Sequence, residues 1–174
     1  MRIGTVGLIL LALAVPGQAL AQALSGHDSN QPIEITSDRL EVLQNDRVAR
    51  FSGQVNVVQG DLVLRSDDLK VFYAQGTGGG DPRIERIEAV GNVVLSSPEE
   101  TAQGRTGTYE LASDMVVLDG DVVLTRGENV IRGDRLEYDL KAGRAEVIAT
   151  KPAEGGPGRV RAVFSPRDGS QSGN

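Results

Sequence analysis

Apolar residues recur two apart along nearly the whole chain beyond Gln31. Val55 and Val57, Leu62 and Leu64, Val71 and Tyr73, Val93 and Leu95, Val122 and Leu124, and Leu136 and Tyr138 all follow this spacing, among β-branched neighbours. Such alternation predicts strands with one face turned inward. Helical spacing is almost absent. Arg83 to Val90 offers Ile84, Ile87 and Val90 at three-residue intervals. That stretch is short and uncapped and runs straight into Gly91-Asn92-Val93-Val94-Leu95, so it reads as strand. Turn signals stand at Gln59-Gly60-Asp61, Ser97-Pro98-Glu99, Ala112-Ser113-Asp114, Arg126-Gly127-Glu128 and Ala142-Gly143. The runs between them, about eleven to thirteen residues, exceed the usual strand of about five or six, so these strands are expected to bend.

A repeat locates the bends. Ile35, Leu64, Ala102 and Ile131 are separated by 29, 38 and 29 residues, and so are Val42, Val71, Tyr109 and Tyr138. Gly53, Gly91 and Gly120 keep the later two intervals, each followed two residues on by Val55, Val93 or Val122. The unit is 29 residues, with a nine-residue insertion whose natural home is the Gly-rich stretch Gln75 to Pro82. Within a unit the two apolar columns lie seven apart, an odd number, so both face inward only if the alternation slips once between them. Ser37, Ser66, Gly104 and Gly133 occupy that interval and mark a bulge or corner. The glycines before Val55, Val93 and Val122 suggest a second set of corners. The fold class is all-β: a single twisted jelly-roll-like sandwich of long antiparallel strands, open at both ends.

The first residues read as a secretory leader. Arg2 is a minimal positive end, Gly7 to Val15 is apolar, Pro16-Gly17 breaks the run, and Ala19-Leu20-Ala21 is a small-x-small cleavage site. The apolar run is shorter than the roughly 20 residues a spanning helix needs. The division expected is a signal peptide over 1–21, cleaved after Ala21 or alternatively Ala23, then a flexible segment over 22–30, a β domain over 31–164 and a disordered tail over 165–174. The exported chain has no cysteine, so its core stabilises it without disulfides.

An ordered series of short segments then carries a family resemblance: Gln31-Pro32-Ile33-Glu34-Ile35-Thr36-Ser37-Asp38, Phe51-Ser52-Gly53-Gln54-Val55, Thr108-Tyr109-Glu110-Leu111, Val116-Val117-Leu118-Asp119-Gly120, Gly133-Asp134-Arg135-Leu136 and Arg159-Val160. In this order, over about Gln31 to Pro166, the chain resembles the organic-solvent-tolerance A family of periplasmic lipopolysaccharide-transport proteins. The resemblance implies a periplasmic β-jelly roll whose V-shaped interior carries the acyl chains of lipopolysaccharide. It also implies copies stacked head to tail between an inner-membrane component at the N-terminal edge and an outer-membrane translocon component at the C-terminal edge. The same jelly roll occurs in the neighbouring components of that bridge; a single unit with a cleavable leader fits the middle one. The segment from Val93 to Thr101 matches the family poorly, which leaves the register from Gln75 to Thr101 open.

Residue by residue, Ile33 and Ile35 match the family's first lipid-facing pair, and Tyr109 and Leu111 an interior pair farther along. By repeat phase Val71 with Tyr73 and Tyr138 with Leu140 face the same way. For each, plain core packing is the competing reading, and the tyrosines could equally latch their hydroxyls to backbone at a corner. The partner edges expected are Ile33-Glu34-Ile35 and Val160-Arg161-Ala162-Val163, flanked by Pro32 and Pro166 and left free to pair.

Composition agrees with an apolar cargo and excludes other chemistry. The chain has 3 Tyr, 3 Phe and no Trp, so an interior of Val, Leu and Ile suits aliphatic tails better than bases or sugars, which ask for stacking rings. Taken alone, an aliphatic inner face is more often a filled core than a groove, and the alternative function is a structural or adhesive β-repeat module with a closed core. The net charge of −6 argues against a nucleic-acid partner. One histidine, His27, in a polar segment, excludes a Ser-His-Asp triad and a histidine metal site. No catalytic residue, metal or cofactor is expected. The acidic pairs Asp67-Asp68 and Glu99-Glu100 read as solvated surface, the Gly-rich run 76–80 lacks the Lys of a phosphate loop, and Arg132-Gly133-Asp134 sits mid-strand.

Overall fold

The computed structural model describes residues 28–74, 82–150 and 158–165. The expected leader, His27, residues 75–81 and 151–157 and the expected tail beyond Ser165 lie outside the described residues. The strands are β1 (Glu34–Thr36), β2 (Arg39–Leu43), β3 (Val48–Gln59), β4 (Leu62–Ala74), β5 (Arg83–Ser96), β6 (Glu100–Glu110), β7 (Met115–Arg126), β8 (Asn129–Asp139), β9 (Arg144–Ile148) and β10 (Arg161–Val163). No helix occurs among the described residues. Every expected turn separates two strands, and Arg83 to Val90 is strand, as its continuation into Gly91-Asn92-Val93 requires.

The strands form one antiparallel sheet in the order β1-β3-β4-β5-β6-β7-β8-β10, with β2 added to the other half of β3 and β9 to the other half of β8. It is a meander, each long strand pairing with the next. A crease crosses it. On β3, β5 and β7 the ladder slips at Gly53-Gln54, Gly91-Asn92 and Gly120-Asp121, where both residues of each pair have positive φ, 80 and 46, 81 and 47, 86 and 50 degrees. The glycine is required at these points. A Cβ on Gly53 would stand 2.4 Å from Asp38 Oδ2, and one on Gly91 2.3 Å from Asp67 Oδ2.

The two expected sets of corners are one. Val55 pairs with Ser66, Val93 with Gly104 and Val122 with Gly133, so the glycine corners of the odd strands lie directly beside the Ser and Gly positions of the even ones. The sequence shows them as two sets because it lists neighbours across the ladder far apart. Inward residues straddle the crease four apart on odd strands, as Ala89 and Val93 do, and three apart on even strands, as Ser66 and Leu69 do. The three-residue step on the even strands is the single slip demanded by the odd spacing of the apolar columns.

Each column proves to be every second member of a row running from edge to edge. One half-sheet carries Ile35, Val57, Leu64, Leu95, Ala102, Leu124, Ile131 and Ala162 as successive partners. The other carries Val42, Ala49, Val71, Ile87, Tyr109, Val116, Tyr138 and Ala145. Folding along the crease brings the two faces together as the inside of a jelly roll, in which Val93, Leu118 and Leu136 are wholly buried. From Arg83 to Thr101 the open register is settled too: Val93 pairs with Gly104 and Ser96 with Thr101; residues 75–81 lie outside the described residues.

Candidate functional site

The interior between the half-sheets is the candidate site. Val71, Tyr109, Tyr138 and Leu140 are buried within its apolar cluster, and Ile33, Ile35 and Leu111 pack against that cluster while half-buried. The sheet thus brings seven of the eight expected groove residues to one interior. Tyr73 is the exception in setting: it is half-buried opposite Ile84, beside a second slip of register in which β5 carries the extra residue, Glu85.

The interior is uneven. Its centre is packed around an apolar cavity of about 30 Å³, closed by Ile33, Leu62 and Leu64 from one half-sheet and Ile87, Tyr109 and Leu118 from the other. Toward β9 and β10 it widens into a vestibule of about 820 Å³ bounded by Ile131, Tyr138, Val147, Phe164, Glu100 and Arg126. The expected edges lie at the ends of the sheet, with β1 on β3 and β10 on β8. Each edge also has a second strand that sequence reasoning missed, β2 and β9. Leu40 and Val42 of β2 and Val160, Val163 and Phe164 around β10 are exposed. The signals were present: Val42 already belonged to a repeat column, and Ala145 and Val147 alternate.

Two tyrosines stand in low-dielectric surroundings. Burial, followed by the charge of Asp114, pushes the Tyr109 hydroxyl up to about 12. It donates to Asp114 Oδ1 at 3.4 Å, so it reaches a carboxylate and not the backbone that was one alternative for it. Burial likewise pushes Tyr138 up to about 12, with the Glu100 charge adding to the effect and Arg126 opposing it.

Glu100 corrects the surface reading of Glu99-Glu100. Glu99 is exposed, but Glu100 is only 8% exposed and forms an ion pair with Arg126, its partner across β6 and β7. Desolvation raises its pKa against the opposing pull of Arg126. Its burial was legible in the repeat: Glu100 stands two residues before Ala102, as Ile33 stands before Ile35 and Leu62 before Leu64. The other pair, Asp67-Asp68, is exposed at the crease, where Asp67 accepts from Asn92 Nδ2 at 2.9 Å. No cluster of three or more metal-ligating side chains occurs among the described residues.

Residues 34–144 match the family model described as LptA/(LptD N-terminal domain) LPS transport protein. An uncharacterized protein of Rhizobium meliloti is 35% identical over 173 residues, covering 96% of this chain and 90% of the relative. The lipopolysaccharide export system protein LptA of Escherichia coli is 30% identical over 148 residues, covering 82% of this chain and 75% of the relative. Among solved structures, the crystal structure of LptH, the LptA-homologous periplasmic component of the lipopolysaccharide transport device of Pseudomonas aeruginosa, superposes with a TM-score of 0.66 at 24% identity, covering 80% of this chain and 99% of that one.

Proposed function

The chain belongs to the LptA/(LptD N-terminal domain) lipopolysaccharide-transport family, and from that premise we propose that it is a non-enzymatic periplasmic bridge component. Its interior takes the acyl chains of lipopolysaccharide, and copies or partner domains pair edge to edge so that their interiors join. The β1/β2 edge faces the inner-membrane component and the β9/β10 edge the outer-membrane one. Residues 1–21 act as its leader and 31–164 as its transport domain. The observation that carries this reading is the pair of inward apolar rows that run unbroken from one sheet edge to the other. A conduit needs that continuity, and neither end among the described residues is closed by a further strand.

The packed centre favours a second reading, a closed-core module whose interior admits nothing. The two differ on whether the half-sheets part. Photo-crosslinking residues at Ile33, Ile35, Tyr109 and Leu111 are expected to capture lipopolysaccharide, and those at the outward Glu34 and Glu110 to capture none. Equal labelling of the two sets removes the interior as the path. Labelling confined to positions near the mouths, with Tyr109 silent, supports the closed core instead.

A further inference from the structure

The repeat position that holds Ile33 and Leu62 in the N-terminal part of the sheet holds Glu100 and Asn129 in the C-terminal part. Across β6 and β7 Glu100 is joined by Arg126, itself paired in register with Asn129. A polar lip therefore borders the vestibule, where an apolar one closes the central cavity. Within this lip the ion pair leaves two atoms unmatched: Glu100 Oε2 and Arg126 Nε are both buried and have no hydrogen-bond partner among the described residues. Orphaned polar atoms of a buried pair are costly, and hydrophobic replacements of such pairs are often as stable, so stability does not account for it.

The two partners are held differently. The turn before β6 fixes Glu100, whose N–H donates to Ser97 Oγ at 3.2 Å and whose carbonyl accepts from Ser97 N at 2.9 Å. Arg126 ends β7 beside the exposed turn Gly127-Glu128, and its side chain is 41% exposed. For a ligand to reach the two buried orphan atoms, Arg126 has to swing aside while Glu100 stays in place.

Resting on the reading that acyl chains enter the interior, we propose that Glu100 and Arg126 form a polar contact for a chain-borne neutral group, a hydroxyl or secondary amide, within an otherwise apolar ligand. Such a group donates to Glu100 Oε2 and accepts from Arg126 Nε, matching both orphans at once. An anionic phosphate fits poorly, since Glu100 repels it where Arg126 attracts it. A divalent cation fits no better, for want of neighbouring carboxylates.

Calorimetric titration of the purified protein tests this with amphiphiles that share one headgroup and carry either a plain tetradecanoyl chain or one bearing a single hydroxyl near its head, middle or tail. At least one hydroxylated chain is expected to bind roughly tenfold tighter than the plain one. In the double variant Glu100→Leu with Arg126→Leu the ratio of hydroxylated to plain chain affinity is expected to fall below about twofold. Equal binding of all chains by the unmodified protein overturns the contact and leaves the groove standing, as does a preference that survives in the double variant. Binding of none overturns both. Should the double variant fail to fold, the single variant Arg126→Met carries the same test, and a preference that survives in it overturns the contact.

Discussion

The centre of the interior and its C-terminal end share one repeat, one crease and one ladder, yet one is closed and the other gapes. At the centre Ile33 and Leu62 meet Tyr109 and Leu118 around about 30 Å³; at the end Glu100 and Arg126 border about 820 Å³. The backbone course is common, so side-chain chemistry makes the difference. Aliphatic side chains from facing half-sheets interdigitate down to a void of about one water. At the end the wall passes to β9 and β10, the last strands of the sheet among the described residues, and Glu100, buried and paired with Arg126, replaces the aliphatic side chain of its repeat position. Side chains are thus packed most completely at the centre, and the wider opening lies at the end.

The largest test of that division is mechanical. Leu118 is wholly buried and Ile131 half-buried in the vestibule wall. Leu118→Ala is expected to cost about 3–5 kcal/mol, as deletion at a site that cannot collapse does, and Ile131→Ala about 1 kcal/mol. Denaturant unfolding followed by circular dichroism gives both values. Similar losses at the two positions would mean that the vestibule is ordinary core and that the comparison fails.

What the sequence made legible follows the same line. The all-β class, the turns, the bends and the inward columns are consequences of local alternation and of a 29-residue period, and each is visible without knowing which strand lies beside which. Pairing is not local. That Gly53 abuts Ser66, or that Val57 completes the row between Ile35 and Leu64, emerges only when the ladder is assembled. Hence one crease looked like two. Glu100 was misjudged because acidic residues are mostly exposed, although its repeat mates Ile33 and Leu62 point inward. The uneven filling of the interior was illegible for a further reason: it depends on which side chains of the two half-sheets face each other, which no periodicity records.

A smaller effect separates the two tyrosines. Tyr109 and Tyr138 are both raised to about 12 from an ordinary value near 10. Because the folded values exceed the unfolded ones, their contribution is fully present below about pH 10 and is lost as pH rises through 12. Each can account for about 2–3 kcal/mol over that window, seen as alkaline unfolding that coincides with tyrosinate absorbance. Glu100→Gln sharpens the comparison. It removes a charge that helps raise Tyr138, so one tyrosinate step is expected to move to lower pH while the step of Tyr109, raised by burial and Asp114, stays. Movement of both steps would mean that the ends are electrostatically continuous.

The smallest expected effect is that of salt on lipopolysaccharide binding, and its smallness is the point. The central cavity wall contains no charged residue among those that bound it, whereas the vestibule offers Arg126 and Arg144 against Glu100. The whole chain is at −6, so there is no long-range attraction for anionic headgroups. If the acyl chains supply the free energy by leaving water, affinity is set by apolar area, to which moderate salt is nearly indifferent. Between low and physiological ionic strength the dissociation constant is then expected to change by less than about threefold, as equilibrium binding at several salt concentrations measures. A steep loss would place the ligand's charged head against the vestibule arginines and leave the interior out of the binding energy. The same series on Arg144→Gln distinguishes the sources of any residual slope: loss of the slope assigns it to the mouth, and persistence assigns it to charge spread over the outer face.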